Sequence, residues 1–567
     1  MASMRRTILL LTVLAAACQR PDLSASQDLA RFAREQPRRQ VFHVTEGVHV
    51  AVGYGLANAV LLVGPDGTVV VDTLESVEAA RPVKRAFDHI SSKPLRGIIY
   101  SHNHADHVFG ASAFAAGREV PVFAHASINR QLDRIFGVVR PAIYRRSMRQ
   151  FGTLLPGGGV VSAGIGPRLR FDATSTIGLI RPTATFERER RSVELAGLRL
   201  ELIHAPGETD DQIVVWLPGK RTLLCGDNFY WAFPNLYTIR GTRHRDVLRW
   251  VASLDLMRAL PVEHLVPSHG PPLHGRARIH EVLTDYRDAI QYVHDQTVRG
   301  MNRGLGPDEL VQTVRLPPRL ARRPYLAERY GALAWSVRGI YDGYLGWFDG
   351  NPTHLYPLGP TARARRVSAL AGGVDALLEQ ARQALIRGDL QWVLELTDHL
   401  RRLRPDSREA RELRAEALLG LGRAAANANA RHYYLTSALE TEGTLRIPPP
   451  RPGAGQRAAV RGMPLAALFR AMAVHLDPDK SRDEDTVIGF RFPDAVEEHT
   501  LHVRRGVAEV QPRFPERPDV TVTVAASIWK EVVAGLRGPL WPLLRGRIKI
   551  EGSALRLARV MAMFEPD

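Results

Sequence analysis

One short segment, Ser101-His102-Asn103-His104-Ala105-Asp106-His107, constrains this chain more than any other. Three imidazoles and a carboxylate so close together are costly to gather unless they bind something. The segment follows Leu95–Tyr100 (LRGIIY), an apolar run with the length and composition of a buried strand. A loop at the carboxyl end of such a strand is where α/β folds place their chemistry. Imidazole nitrogen and carboxylate oxygen are the donors that suit Zn²⁺ and similar borderline metals. In an extended loop, His102 and His104 can point one way while Asp106 and His107 serve a neighbouring position. The segment can then supply half the ligands of two adjacent ions.

The surrounding text alternates strand and helix. Val48–Val52, Asn58–Val63 and Thr68–Val71 are β-rich, with Gly64-Pro65-Asp66-Gly67 as a turn, and Glu75–His89 has helical spacing. The HxHxDH pattern after a strand resembles the signature of the metallo-β-lactamase superfamily. The resemblance implies an α/β, four-layer αββα fold with further ligands at the ends of later strands. Leu198–His204 leads to Ala205-Pro206-Gly207-Glu208-Thr209, and Glu208 stands where most members carry histidine. Leu223-Leu224-Cys225-Gly226-Asp227 offers Asp227 as a bridging ligand, and Leu265-Val266-Pro267-Ser268-His269-Gly270 offers His269. The implied metal set is therefore His102, His104, Asp106, His107, Glu208, Asp227 and His269, with Asp210 and Asp211 the alternatives to Glu208.

Other stretches narrow the family. Gly152–Gly157 (GTLLPG), Val160–Gly166, Phe233–Gly241 and Tyr344–Pro352 resemble the bacterial alkylsulfatases of this superfamily. That resemblance implies hydrolysis of alkyl sulfate esters at two Zn²⁺ per chain, a helical dimerisation domain and a C-terminal sterol-carrier-like domain. Two such ions about 3.5–4 Å apart lower the pKa of a shared water towards 7 and polarise the ester. A sulfate monoester is an anion, and a guanidinium fork matches two of its oxygens. Arg240 matches the family's sulfate-binding arginine. Asp106, Arg240 and Tyr237 are the expected catalytic side chains, and Arg240, Asn235 and Asn228 the expected substrate contacts. The chain departs from the family where it reads Pro206-Gly207-Glu208-Thr209-Asp210-Asp211-Gln212, Gly226-Asp227-Asn228, and Trp335 or a neighbour at the place of a sulfate-contacting histidine. These departures leave metal binding intact and keep other esters open: an aryl sulfate, a phosphoester or a lactone. A non-catalytic lipid or detergent carrier is the alternative from another class. His43, His49, His125, His204 and His264 lack ligand spacing and are expected to pack, with His274 the nearest exception.

The chain has 567 residues and a formal charge of +17, carried almost wholly by arginine, since lysine occurs only at Lys84, Lys93, Lys220, Lys480, Lys530 and Lys549. No basic tract resembles a nucleic-acid arm, so no nucleic-acid partner is expected. Met1–Arg6 is basic, Thr7–Ala17 is apolar and ends in small residues, and Cys18 follows. Residues 1–18 have the layout of an export signal, too short to span a bilayer. The lone cysteine after the small residues resembles the lipid-attachment site of bacterial lipoproteins. An exported protein, periplasmic or tethered to a membrane through lipidated Cys18, is therefore expected. Cys225 is the only other cysteine, so there is no disulfide framework.

The expected division is a catalytic domain over 41–285, a helical domain over 286–440 and an α+β domain over 456–567, the last two joined by the Pro/Gly linker Arg446–Gly455. Helices are expected over Arg245–Leu260, His280–Val298, Asp308–Val314, Asp375–Arg387, Leu390–Leu403 and Ser407–Leu421, with a tetratricopeptide-like helix pair among them. By the family resemblance this region makes a homodimer. The last domain is expected to hold an alkyl tail or to act as a lid.

Overall fold

A computed structural model describes residues 22–172, 174–450 and 457–564. The leader, its cysteine and residues 451–455 of the linker thus lie outside the described residues. Among those residues no helix is long and apolar enough to cross a membrane.

Two sheets stack face to face. The first is seven-stranded, in the order β1 (Gln40–Thr45), β2 (Val48–Val52), β3 (Ala59–Val63), β4 (Thr68–Val71), β5 (Leu95–Ile99), β6 (Val122–His125) and β7 (Ala184–Phe186). The second contains β8 (Arg190–Leu195), β9 (Leu198–His204), β10 (Ile213–Leu217), β11 (Thr222–Gly226), β12 (His264–Pro267) and β13 (Leu273–His274), in reverse chain order. Val50, Val60, Val69, Ile99, Leu202, Val215, Leu224 and Val266 fill the space between them. Alternate residues of the same strands face outward. Leu61, Val70 and Ile98 pack with Ala80, Val83 and Phe87 of the helix Val77–Ile90. Trp216, Leu223 and Leu265 pack with Trp250, Leu254 and Met257 of the helix Val247–Ala259. The period of two in the strands thus produces the expected αββα layering.

Strand direction places the chemistry. β9 and β11 both pair antiparallel to β10, and β12 pairs parallel to β11, so β9, β11 and β12 end at one edge. β5 lies parallel between β4 and β6 and is buried over its last three residues. A hydrogen bond from Ile213 N to Ser101 O (2.8 Å) joins the chain leaving β5 to the start of β10. All the loops expected to carry ligands therefore meet at one rim.

The expected boundary at 285/286 falls inside a continuous helix, Arg276–Met301. Its Ile279, Val282, Leu283, Tyr286, Ile290 and Val293 share a core with Trp250 and Leu265. That helix is the outer layer of the sandwich, and apolar burial against the second sheet keeps it there. The helix expected from Arg245 starts later, at Val247, because Asp246 caps it by accepting from Arg249 N. Beyond the sandwich, the expected helix pair is part of a longer array over Pro360–Leu370, Val374–Ile386, Leu390–Leu403, Arg408–Ala424 and Ala428–Glu442. Leu377, Leu396, Leu413 and Leu435 belong to its common core.

The C-terminal region forms a third sheet. It contains β14 (Asp485–Phe492), β15 (Glu497–Arg504), β16 (Val507–Gln511), β17 (Val520–Val524) and β18 (Ile548–Gly552), in the order β16-β15-β14-β17-β18. Aromatic rings occupy its core. Phe469 and Phe490 lie 5.1 Å apart, and Phe490 and Trp529 4.8 Å apart.

Candidate metal centre

The chain leaves β5 at Tyr100, whose hydroxyl donates to Ile180 O, and turns at Ser101. Only the first half of the histidine segment is extended. Ala105–Val108 is a helical turn with His104 at its N-cap. This corrects the expectation of a fully extended loop: the turn aims Asp106 and His107 at a second donor group, with the His107 ring still 4.1 Å from that of His102. Two donor groups result. One ligand atom each from His102, His104 and Asp227 converge within 4.8 Å of one another, and so do Asp106, His107 and His269. Asp227 Oδ2 lies 3.7 Å from His102 Nε2, 3.6 Å from His107 Nε2 and 3.2 Å from His269 Nε2. It therefore stands between the groups. Asp106 Oδ2 lies 3.5 Å from His107 Nε2 and 3.6 Å from His269 Nε2. In the first group His102 Nε2 meets His104 Nδ1 at 2.8 Å, so His104 presents its Nδ1 and not its Nε2.

Glu208 stands outside both triads but beside them. Its Oε1 accepts from Arg245 Nη1 at 2.7 Å, and its Oε2 is buried with no partner. Gly207 is required for this placement, since a Cβ there would lie 1.8 Å from Asn228 Oδ1. Of the alternatives to Glu208, Asp211 is engaged elsewhere, its Oδ1 accepting from Asn103 Nδ2. Asp210 has its backbone O 2.8 Å from His204 Nε2 and lines the cavity, outside both donor groups.

The electrostatics suit a cation. Burial, then the other imidazoles, hold His102 and His104 well below the ordinary histidine range. Burial opposes charge on His107 too, but Asp106, Asp227 and Asp72 outweigh it and raise its pKa. Burial raises Asp227, yet His269, His107 and His102 together hold it well below the carboxylate range. Glu208 is pushed up to about 7, first by burial and against the pull of Arg245, with Asp227 adding to the rise. His107 Nε2, Asp227 Oδ1 and Glu208 Oε2 are all buried without a hydrogen-bond partner. Orphaned donor atoms in such number are rare in a closed core, and divalent ions at this point would satisfy them.

The outer contacts include residues that the sequence reading missed. Asp72, at the end of β4 with φ of 59°, is the first. Its carboxylate accepts from Ser101 N, Ser101 Oγ and Ser268 Oγ and lies 2.8 Å from His107 Nδ1. His269 Nδ1 is 2.9 Å from Leu56 O, and Asn58 Nδ2 donates to Pro267 O and Gly270 O around it. Arg245 is buried and holds both Glu208 and Asn235 O. An acidic residue directly after the apolar run VVV was the available signal for Asp72; Arg245 had none beyond its chain position.

A cavity of about 440 Å³ opens on the centre. His104, Asp106, Glu208, Asp227, Arg240 and Arg245 line its polar end. Phe109, Ile135, Ile143, Met148, Phe151 and Phe171 are among its apolar walls. Arg240 is held by Gln150 Oε1, which accepts from its backbone N, and by its own bond to Thr238 Oγ1. Its Nη2 is 2.9 Å from His104 Nε2. Three expected pocket residues do not line the cavity. Tyr237 packs its ring against Gly339, and Asn228 donates to Ala205 O beneath the Gly207 turn. Asn235 is fully buried and offers its backbone oxygen to Arg245. Trp335, at the expected place of a sulfate-contacting histidine, does not line it either, whereas His244 does.

Family models match along most of the chain: metallo-beta-lactamase superfamily at 52–269, alkyl sulfatase dimerisation at 306–444 and alkyl sulfatase C-terminal at 454–567. A linear primary-alkylsulfatase of Pseudomonas sp. (strain ATCC 19151) is 39% identical over 89% of this chain and 98% of its own length. The chain belongs to the alkylsulfatase family of the metallo-β-lactamase superfamily. Another relative in the family, an (R)-specific secondary-alkylsulfatase of Pseudomonas sp., is 30% identical over 93% of this chain and 80% of its own. The solved stereoselective inverting sec-alkylsulfatase Pisa1 from Pseudomonas sp. superposes with a TM-score of 0.89 at 28% identity, covering 97% of this chain and 88% of that one. The three-part architecture is thus that of the family.

Proposed function

We propose that this chain hydrolyses alkyl sulfate esters to inorganic sulfate and an alcohol, at a centre loaded with two Zn²⁺ ions. The observation that carries this reading is Asp227 between two donor triads at the polar end of a largely apolar cavity. His102, His104 and Glu208 would hold one ion, Asp106, His107 and His269 the other, and Asp227 would reach both. Bound there, the ions supply a water ionised near neutral pH and a positive field for the ester. The chain's own residues do the rest. Arg240, fixed by Gln150 and Thr238, orients the sulfate through its guanidinium. Arg245 opposes the burial that raises Glu208 and keeps its carboxylate aimed at the centre. The Phe109, Ile143, Met148 and Phe171 walls take the alkyl chain and exclude water. Similarity to a linear primary-alkylsulfatase favours primary esters.

A dodecyl sulfate assay with free sulfate as readout tests this, run beside nitrophenyl sulfate, nitrophenyl phosphate and a lactone. Dodecyl sulfate is expected to turn over best. His104→Ala should abolish release and reduce bound metal. Arg240→Ala should lower kcat/KM on the order of 100-fold with metal retained. Preference for another ester, or release persisting in both variants, would refute the assignment; bound lipid without turnover would favour the carrier.

A homodimer through residues 306–444 is supported by the match to the dimerisation model and by exposed Trp347, Tyr356, Leu370 and Ile386. Export, with Cys18 as a lipid tether, is supported by the leader sequence alone, and the mass of the mature N-terminal peptide tests it.

A further inference from the structure

The C-terminal domain exposes large apolar side chains beside unpaired cations. In the helix Leu540–Leu544 (LWPLL), Leu540 is 71% exposed, Trp541 69% and Leu544 77%, with Leu543 also outward. The chain then passes through Arg545, Arg547 and Lys549, all exposed, into β18. The Arg545 guanidinium lies 5.3 Å over the Trp541 ring. By contrast, Arg537 pairs with Glu531, Arg556 with Asp519 and Arg559 with Glu484. Among the described residues no carboxylate pairs with Arg545, Arg547 or Lys549.

We propose that this surface docks the protein on an anionic phospholipid bilayer. Leucine and tryptophan side chains enter the headgroup–acyl boundary, where the amphipathic indole is favoured, and the three cations meet the lipid phosphates. Contact of this surface with itself about a twofold axis would bring like charges face to face, which disfavours that mode of self-association. In the same domain, Ala467 and Ala471 pack close against Gly137, next to the cavity-lining Ile135, and linker residues Pro448 and Pro449 line the cavity itself. A docked domain would hold the cavity beside the layer into which an amphiphilic ester partitions. That consequence rests on the sulfatase reading; the docking does not.

Vesicle co-sedimentation of the full chain with Cys18→Ser, which removes any lipid tether, tests the proposal. The protein should bind phosphatidylcholine vesicles containing phosphatidylglycerol, leave them at high salt, and ignore phosphatidylcholine alone. The pair Trp541→Ser/Leu544→Ser should weaken binding about tenfold or more. The pair Arg545→Glu/Arg547→Glu should do the same. Both variants should keep wild-type turnover of dodecyl sulfate below its micelle concentration, which shows that they fold. Equal binding to neutral vesicles, or wild-type binding by both variants, would overturn the proposal. So would absence of vesicle binding together with a change of mass in light scattering when the surface is altered.

Discussion

Four contacts converge on the Asp72 carboxylate, a residue with no place among the metal donors. It fixes which nitrogen of His107 faces the centre, and such outer partners commonly set metal affinity. Asp72→Asn would put an amide NH₂ in place of one of the two accepting oxygens, facing either Ser101 N or the hydroxyls and His107 Nδ1. It should weaken zinc binding by about 10–100-fold, measured by competition with a chromophoric chelator. Arg245 and Glu208 form a pair almost wholly removed from solvent. Arg245→Met leaves Glu208 buried without its partner and should cost about 3–5 kcal/mol in thermal unfolding. A smaller loss would mean that Glu208 finds its compensation elsewhere. The histidine segment was legible because its ligands are contiguous and follow a buried strand. Asp72 and Arg245 were not, because each acts across the interface between separate loops, and chain order carries no trace of that juxtaposition. Tyr237 was expected in the pocket on resemblance alone, and its ring instead fills the space above Gly339.

Elements explain where the donors point. The PGE turn after β9 needs a residue without Cβ at 207, because the Asn228 amide occupies that space. Gly207→Ala should therefore displace Glu208 and reduce activity more than it reduces the melting temperature. The comparison of turnover with Tm checks this. A second prediction concerns the helix Ala428–Glu442, which carries fully buried His432. Burial, aided by Arg431, pushes its pKa down to about 3. The unfolded chain takes up a proton near pH 6.5 that the folded chain refuses. Stability is therefore intact above that pH and declines as pH falls toward 3, by up to about 1.4 kcal/mol per unit. His432→Gln should flatten that part of the acid-unfolding profile. Strand positions were largely readable from two-residue alternation and β-branched runs. Helix limits were less so: Asp246 stops the helix short of Arg245, and Arg276–Met301 runs across the expected domain boundary. Apolar packing on the second sheet keeps the latter helix with the sandwich, although the expected helix His280–Val298 already crossed that boundary.

At the scale of the molecule, three units serve one cavity. The sandwich supplies the rim of ligands, while Tyr330 and the linker prolines Pro448–Pro450 add to the wall. Because bound ions stabilise only the folded sandwich, chelation should lower the melting temperature as well as abolish sulfate release, and Zn²⁺ should restore both. The most direct measurement is the metal content of the purified enzyme, by elemental analysis, alongside its rate on dodecyl sulfate as zinc is titrated into chelated protein. Activity should rise with zinc and level off at about two ions per chain, and Asp227→Asn should not reach that plateau. Full sulfate release from protein holding no stoichiometric transition metal would contradict a binuclear centre at this rim.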